Sequence, residues 1–391
     1  MANLSMDSVL AALRAVLGDK PAALHEPCFA GNEWRYVKDC LDTNWVSSVG
    51  GYVDRFERDL AEYTGARHAV AVVNGTAALH VCLQLAGVER GDEVLIPGLT
   101  FIATAAAVHY LGATPHLADS SEATLGLDPA RLAAYLDEIA ELRGEACYNR
   151  ATGARIRAVV PMHVFGHPVD LDPLVELCAR WRLTLVEDAA ESLGSYYKGR
   201  HTGTFGRLGA LSFNGNKVIT TGGGGAILID DDALAKRAKH LTTTARVAHR
   251  WSFIHDEVGY NYRLPNVNAA LGCAQLEQLA GFVERKRALA QRYAAAFAAV
   301  PSVRFFAEPP QARSNYWLNA LLLDAAQAHA RDALLAATND AGIMTRPVWT
   351  LMHRLPMFRG CPRMDLSTAE DLERRLVNLP SSAVLEERGR A

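Results

Sequence analysis

The feature that most limits the fold is the alternation of short apolar runs with helical segments through the middle of this 391-residue chain. HAVAVV (68–73), EVLIP (93–97), RAVVPMH (157–163), LTLVED (183–188), GALSF (209–213) and GAILID (225–230) each have the length of a strand. Helical stretches separate them, a rhythm that predicts a mixed, mostly parallel sheet covered by helices on both faces, the α/β class. We place one large domain over residues 33–245. The segment 132–157 breaks the rhythm; its second half is polar and turn-rich and reads as a surface excursion. Beyond Trp251 come a long helical stretch, the short strand WLNALLL and the helix RDALLAATNDAG, which give a smaller C-terminal α/β domain over 246–391. Residues 1–32 read as an amphipathic helix and lead-in packed on the body; Asp7 and Arg14 distinguish that helix from a secretory signal.

Composition excludes several classes. Half of the chain is hydrophobic (50%), enough for a large core, while a formal net charge of −3 gives no field favouring nucleic acid or a membrane surface. No apolar run reaches spanning length, so no membrane insertion is expected. The seven cysteines are odd in number, scattered and without a CxxC pair. They point to reduced thiols in a cytoplasm, and away from disulfides or a metal site.

Three stretches carry chemistry. Lys217 lies in LSFNGNKVITTGGGG, between a short strand and four glycines that allow sharp backbone turns. TLVEDAAESLG ends an apolar strand in Glu187 and Asp188, where a carboxylate of an α/β sheet meets ligands. VVNGTAALHVCLQLAG runs from strand to helix through Asn74, Gly75 and Thr76, and such a turn offers N–H groups and a hydroxyl to an anion. Each has a plain alternative: a solvated turn lysine, a helix N-cap aspartate, an ordinary strand-to-helix cap. Together they match the needs of pyridoxal phosphate, whose aldehyde reacts with a lysine, whose ring nitrogen pairs with an aspartate, and whose phosphate requires donors. The GxxxxGK[ST] pattern is missing, which leaves kinase or ATPase chemistry without support.

From Asn32 to Ser382 the chain resembles the sugar-nucleotide aminotransferases of the DegT/StrS type, a branch of the fold-type-I pyridoxal phosphate enzymes. The matching stretches are NWVSSVGGYVDRFE (44–57), NGTAAL (74–79), DEVLIPGLTFIATA (92–105), VPMHVFGHPVDLD (160–172), VEDAAESLGS (186–195), LSFNGNK (211–217) and GYNYRLPNVNAALG (259–272). WVSSVG, PMHVFGHPVDLD, LTTTA and AGIMTRPVW are similar to the subgroup acting on UDP-linked 4-keto-6-deoxy-N-acetylhexosamines, which lead to bacillosamine and legionaminic acid.

The resemblance implies roles residue by residue. Lys217 and Asp188 are the catalytic pair. Gly75, Thr76 and Ser212 bind the cofactor phosphate, and Phe101 stacks on its ring, with a buried core phenylalanine as the rival reading. Asn261 and Arg263 reach the active site of a partner subunit, Asn261 to the phosphate and Arg263 to substrate, with a surface salt bridge as the alternative for Arg263. His163, Trp45 and Ser47 are implied substrate contacts; a hydrogen-bonded structural histidine is equally open for His163. Many relatives have Gln or His where this chain has Glu191, whose charge would repel the cofactor's phenolate oxygen. Members that dehydrate deoxysugars carry histidine in place of the lysine, so Lys217 implies transamination. The expected substrates are L-glutamate and a nucleotide-linked keto sugar, and the expected assembly is a homodimer with shared sites. A UDP-linked sugar is favoured, with GDP- or dTDP-linked sugars as the alternative and a non-enzymatic cofactor-binding regulator as a more distant one.

Overall fold

The computed structural model describes residues 4–388. Its central sheet has seven strands on the main path: β1 (His68–Val72), β2 (Glu93–Pro97), β3 (Thr114–Ala118), β4 (Arg155–Val159), β5 (Thr184–Asp188), β6 (Leu208–Ser212) and β7 (Gly225–Ile229). They lie in the order β3-β2-β4-β5-β6-β7-β1. All neighbours from β3 to β6 are parallel, and β7 alone runs against both of its partners. Every residue of β2 and β7 is buried, as expected of strands covered on two faces.

Two elements differ from the sequence reading. TPHLA (114–118) was not foreseen as a strand; it forms the edge partner of β2, where Pro115 is tolerated. The 132–157 excursion is more regular than expected. Pro129–Ile139 is a helix, and the hairpin Ala140–Arg143/Ala146–Asn149 joins the sheet antiparallel to β4.

A second, four-stranded antiparallel sheet, ordered Val303–Phe305, Asn319–Leu323, Leu376–Leu379 and Arg346–Pro347, lies in the C-terminal part. The helix Met6–Leu17, capped by Ser5, buries Val9, Leu13, Val16 and Leu17 in a core shared with Leu289, Tyr293, Leu321 and Leu379. Helix Asn266–Leu276 packs on the helices Glu33–Asp42 and Gly51–Thr64. We retain the division at residue 245 as a proposal about organisation; in packing, the segment to Leu276 sits with the large sheet. No helix among the described residues is long and apolar enough to cross a membrane.

Because β7 is antiparallel to β1 and β6, those two strands point the same way. The carboxyl ends of all six strands β1 to β6 therefore open on one edge, together with the start of β7. Gly225 begins β7 there, opposite Val72 and Ser212. A Cβ on it would come within 2.6 Å of the Asn74 carbonyl and 2.8 Å of Gly75 N, both backbone atoms. Gly225→Ala should therefore displace the Asn74–Gly75 turn and destabilise the protein by about 1–3 kcal/mol. A thermal melt reads this as a lowered Tm; an unchanged Tm would show that the turn accommodates the methyl group.

Candidate active site

The strand ends enclose a cavity of about 290 Å³ whose wall includes Gly75, Thr76, Phe101, Asp188, Glu191, Ser212 and Lys217. Seven residues read from separate stretches of sequence thus meet in one place. Helix Gly75–Leu85 starts at this wall. Its N-cap Asn74 accepts from Ala77 N at 2.7 Å, and the N–H groups of Gly75 and Thr76 have no acceptor among the described residues. A Cβ on Gly75 would sit 2.8 Å from Ser212 Cβ, so only glycine lets the helix end approach the Ser212 hydroxyl. Free N–H groups, two hydroxyls and a helix N-terminus form a cradle suited to phosphate.

Asp188, 2% exposed, ends β5 on the other side of the cavity. Its carboxylate accepts from Thr104 Oγ1 at 2.7 Å and Ala190 N at 3.2 Å. Burial raises its pKa, while Thr104, Ala190 and the Lys217 charge act against that rise. The balance suits a carboxylate that holds a protonated ring nitrogen.

Lys217 lies between these two ends. Its Nζ is 3.3 Å from Glu191 Oε1 and 4.0 Å from the centre of the Trp317 ring. Trp317 is itself fixed, since Nε1 donates to Asn216 O at 2.7 Å and its backbone N donates to Asn315 Oδ1 at 2.8 Å. Phe101 is 46% exposed and lies edge-on to Trp349, 6.1 Å between ring centres, so it is not the core residue of the rival reading. Phosphate donors, a buried carboxylate, an amine between them and an exposed ring together fit pyridoxal phosphate.

Glu191 is buried, and Phe165 N donates to its Oε2 at 2.9 Å. Burial pushes its carboxyl up to about 7 against the opposing pull of Lys217. A protonated Glu191 can donate to an oxyanion, so the raised pKa lessens the repulsion anticipated from the sequence.

Other expected contacts lie elsewhere. His163 is fully buried and faces away from the cavity; Nε2 pairs with Glu187 Oε2 at 3.0 Å, and Nδ1 accepts from Val169 N at 3.3 Å. With both nitrogens engaged, it is a structural histidine rather than a substrate contact. Glu187 also accepts from the backbone N of Gly203, Phe205 and Gly206. Trp45 and Ser47 are exposed on a loop whose carbonyls are held by Asn266, outside the cavity of their own chain. Asn261 is exposed and Arg263 half-buried, and neither lines that cavity; the backbone of this segment pairs with Thr243, Val72 and Val73. Among the described residues Arg263 makes no ion pair, which disfavours the salt-bridge reading. Sequence reasoning missed Thr104, Trp317 and Trp349. Trp317 and Trp349 stand in the quoted phrases WLNALLL and TRPVW, just outside the strands Asn319–Leu323 and Arg346–Pro347, where nothing local marks them for the site.

The model of the DegT/DnrJ/EryC1/StrS aminotransferase family matches residues 27–389. This chain belongs to that family. It is a pyridoxal phosphate-dependent sugar-nucleotide aminotransferase with the fold-type-I architecture. It is 37% identical over 358 residues to the GDP-perosamine synthase of Escherichia coli O157:H7, covering 92% of each chain. It is likewise 37% identical over 374 residues to the GDP-perosamine synthase of Caulobacter vibrioides, covering 92% of this chain and 93% of that one. Among solved structures, the aminotransferase TlmJ from Streptoalloteichus hindustanus superposes with a TM-score of 0.82 at 30% identity, over 92% of this chain and 93% of that one.

The Glu191 carboxyl, at about 7 in the fold, lies above its ordinary 4.5. The folded state then holds this proton more tightly than the unfolded chain, so the associated stability is complete below about 4.5 and is lost as pH rises through about 7. In cofactor-stripped protein, Tm should fall by a few degrees relative to Glu191→Gln across that window. Parallel melting curves would show a carboxyl of ordinary acidity.

Proposed function

We propose that the protein transfers the amino group of L-glutamate to the C4 ketone of a nucleotide-linked 4-keto-6-deoxy sugar, with a UDP-linked N-acetylhexosamine as the favoured acceptor. The observation that carries the reaction type is that Lys217 lines one cavity together with Asp188 and the Gly75–Thr76–Ser212 cradle. Pyridoxal phosphate, when bound, supplies the electron sink that acidifies the carbon bearing the amino group and carries nitrogen between the two substrates. Lys217 takes a proton from the α-carbon of glutamate and, in the return half, delivers one to C4 of the sugar. Asp188 keeps the ring nitrogen protonated. Trp317 limits water around the amine, and Thr104 holds Asp188 in place.

The UDP reading rests on the sequence phrases. The GDP reading has support from the two GDP-perosamine synthases reported above as relatives. A panel of keto-sugar nucleotides with glutamate as donor, followed by mass detection, separates them. We expect the UDP-linked acetamido sugar to be aminated with a kcat/KM at least about tenfold above GDP- or dTDP-linked sugars, ~1.4 kcal/mol of discrimination. The reverse preference would shift the substrate and leave the reaction intact. Lys217→Ala should form no product with any of them, and turnover by that variant would overturn the mechanism.

We further propose a homodimer with shared sites in a reducing, cytoplasmic setting. The absence of Asn261 and Arg263 from their own chain's cavity supports it, as do the seven cysteines, all free thiols. The exposed side chains of Trp34, Tyr110, Trp251 and Phe253, each at least 60% accessible, are of the kind buried between subunits. Co-expression of Lys217→Ala with Asn261→Ala should restore activity to about a quarter of wild type, because half of randomly mixed dimers hold one intact site. Verified mixed dimers without activity would exclude action across the boundary.

A further inference from the structure

A second cavity, of about 660 Å³, adjoins the first and shares Asn216, Trp317 and Trp349 with it. His25 and Arg346 line it, and none of the described residues on its wall is a carboxylate. Arg346 is exposed and makes no ion pair among the described residues; its hydrogen bonds go to Asn339 and to the Thr345 carbonyl.

His25 is the unusual member. Both ring nitrogens are buried, and neither has a hydrogen-bond partner among the described residues. The backbone around it is pinned on both sides: Ser381 N donates to Leu24 O at 2.7 Å, and Glu26 N donates to Ser382 Oγ at 2.8 Å. The imidazole is therefore held in place without serving the fold through hydrogen bonds. Burial, then the charges of Lys286 and Lys217, push its pKa well below the usual histidine range. A neutral imidazole carries one N–H donor and one acceptor nitrogen. It also lies just before the span matched by the family, which begins at residue 27.

We infer that His25 is a substrate-positioning residue: its imidazole pairs with an oxygen on the part of the sugar nucleotide beyond the reacting carbon, seated in the second cavity with its diphosphate charge toward Arg346. The inference rests on the nucleotide-sugar reading above. An unpaired buried polar group weakens the free protein, and a ligand that supplies the partner recovers that loss on binding. Retaining such a group is intelligible when function requires it.

The test compares wild type, His25→Leu and His25→Gln as holoenzymes. Calorimetry measures Kd for UDP-N-acetylglucosamine and GDP-mannose, and thermal melts are run in parallel. For whichever probe wild type binds more tightly, we expect Kd to rise about tenfold in His25→Leu and less in His25→Gln, which keeps a polar terminus. Tm of His25→Leu should equal or exceed that of wild type. With the keto-sugar substrate the same change should raise KM more than it lowers kcat. Equal Kd values overturn the inference, as does a variant that melts lower or fails to fold, since both make the histidine structural. Failure of wild type to bind either probe would instead remove the nucleotide-sugar reading, and this assignment with it.

Discussion

Two carboxylates and one ammonium group share a space nearly closed to water, and the rest of the site follows from that imbalance. Asp188 and Glu191 are both buried, and Lys217 is the cation set between them. Two full negative charges cannot be held cheaply in such surroundings, so the carboxyl with fewer donors yields. Asp188 has the Thr104 hydroxyl and a backbone N–H, whereas Glu191 has one N–H and a share of the lysine. Burial accordingly moves Glu191 up to about 7. Burial thus raises both carboxyls, and the donors around Asp188 oppose that rise.

The sheet makes this arrangement possible. Six strands end at one edge because only β7 is reversed, and that edge gathers a helix N-terminus, a carboxylate and an amine from distant parts of the chain. The C-terminal part then closes the cavity. Trp317 covers Lys217 and is tied to Asn216 through its indole nitrogen. Lys286, fully buried, donates from behind to the carbonyls of Trp317 and Ser381.

Residues set at strand ends were the legible ones. Gly75, Thr76, Asp188, Ser212 and Lys217 each sit beside an apolar run whose direction the sequence reveals. Side-chain facing at such an end was harder to read: Met162 lines the cavity, while His163, one residue further, faces Glu187 in the core. The edge strand TPHLA lacked an apolar run, and its His116 is buried only because Glu93 and Tyr135 meet both ring nitrogens. Trp317, Trp349 and His25 approach from segments with no local signature, since their positions depend on packing between distant parts of the chain.

Glu187 and Asp188 are consecutive on β5 and project to opposite faces. The first is gripped by His163 and three backbone N–H groups, the second by a hydroxyl and the cavity. Sliding the strand by a single step would place the wrong acid on each side, with neither finding its donors. The adjacent pair therefore works as a parity lock: the carboxylate that anchors the scaffold also guarantees that its neighbour faces the chemistry.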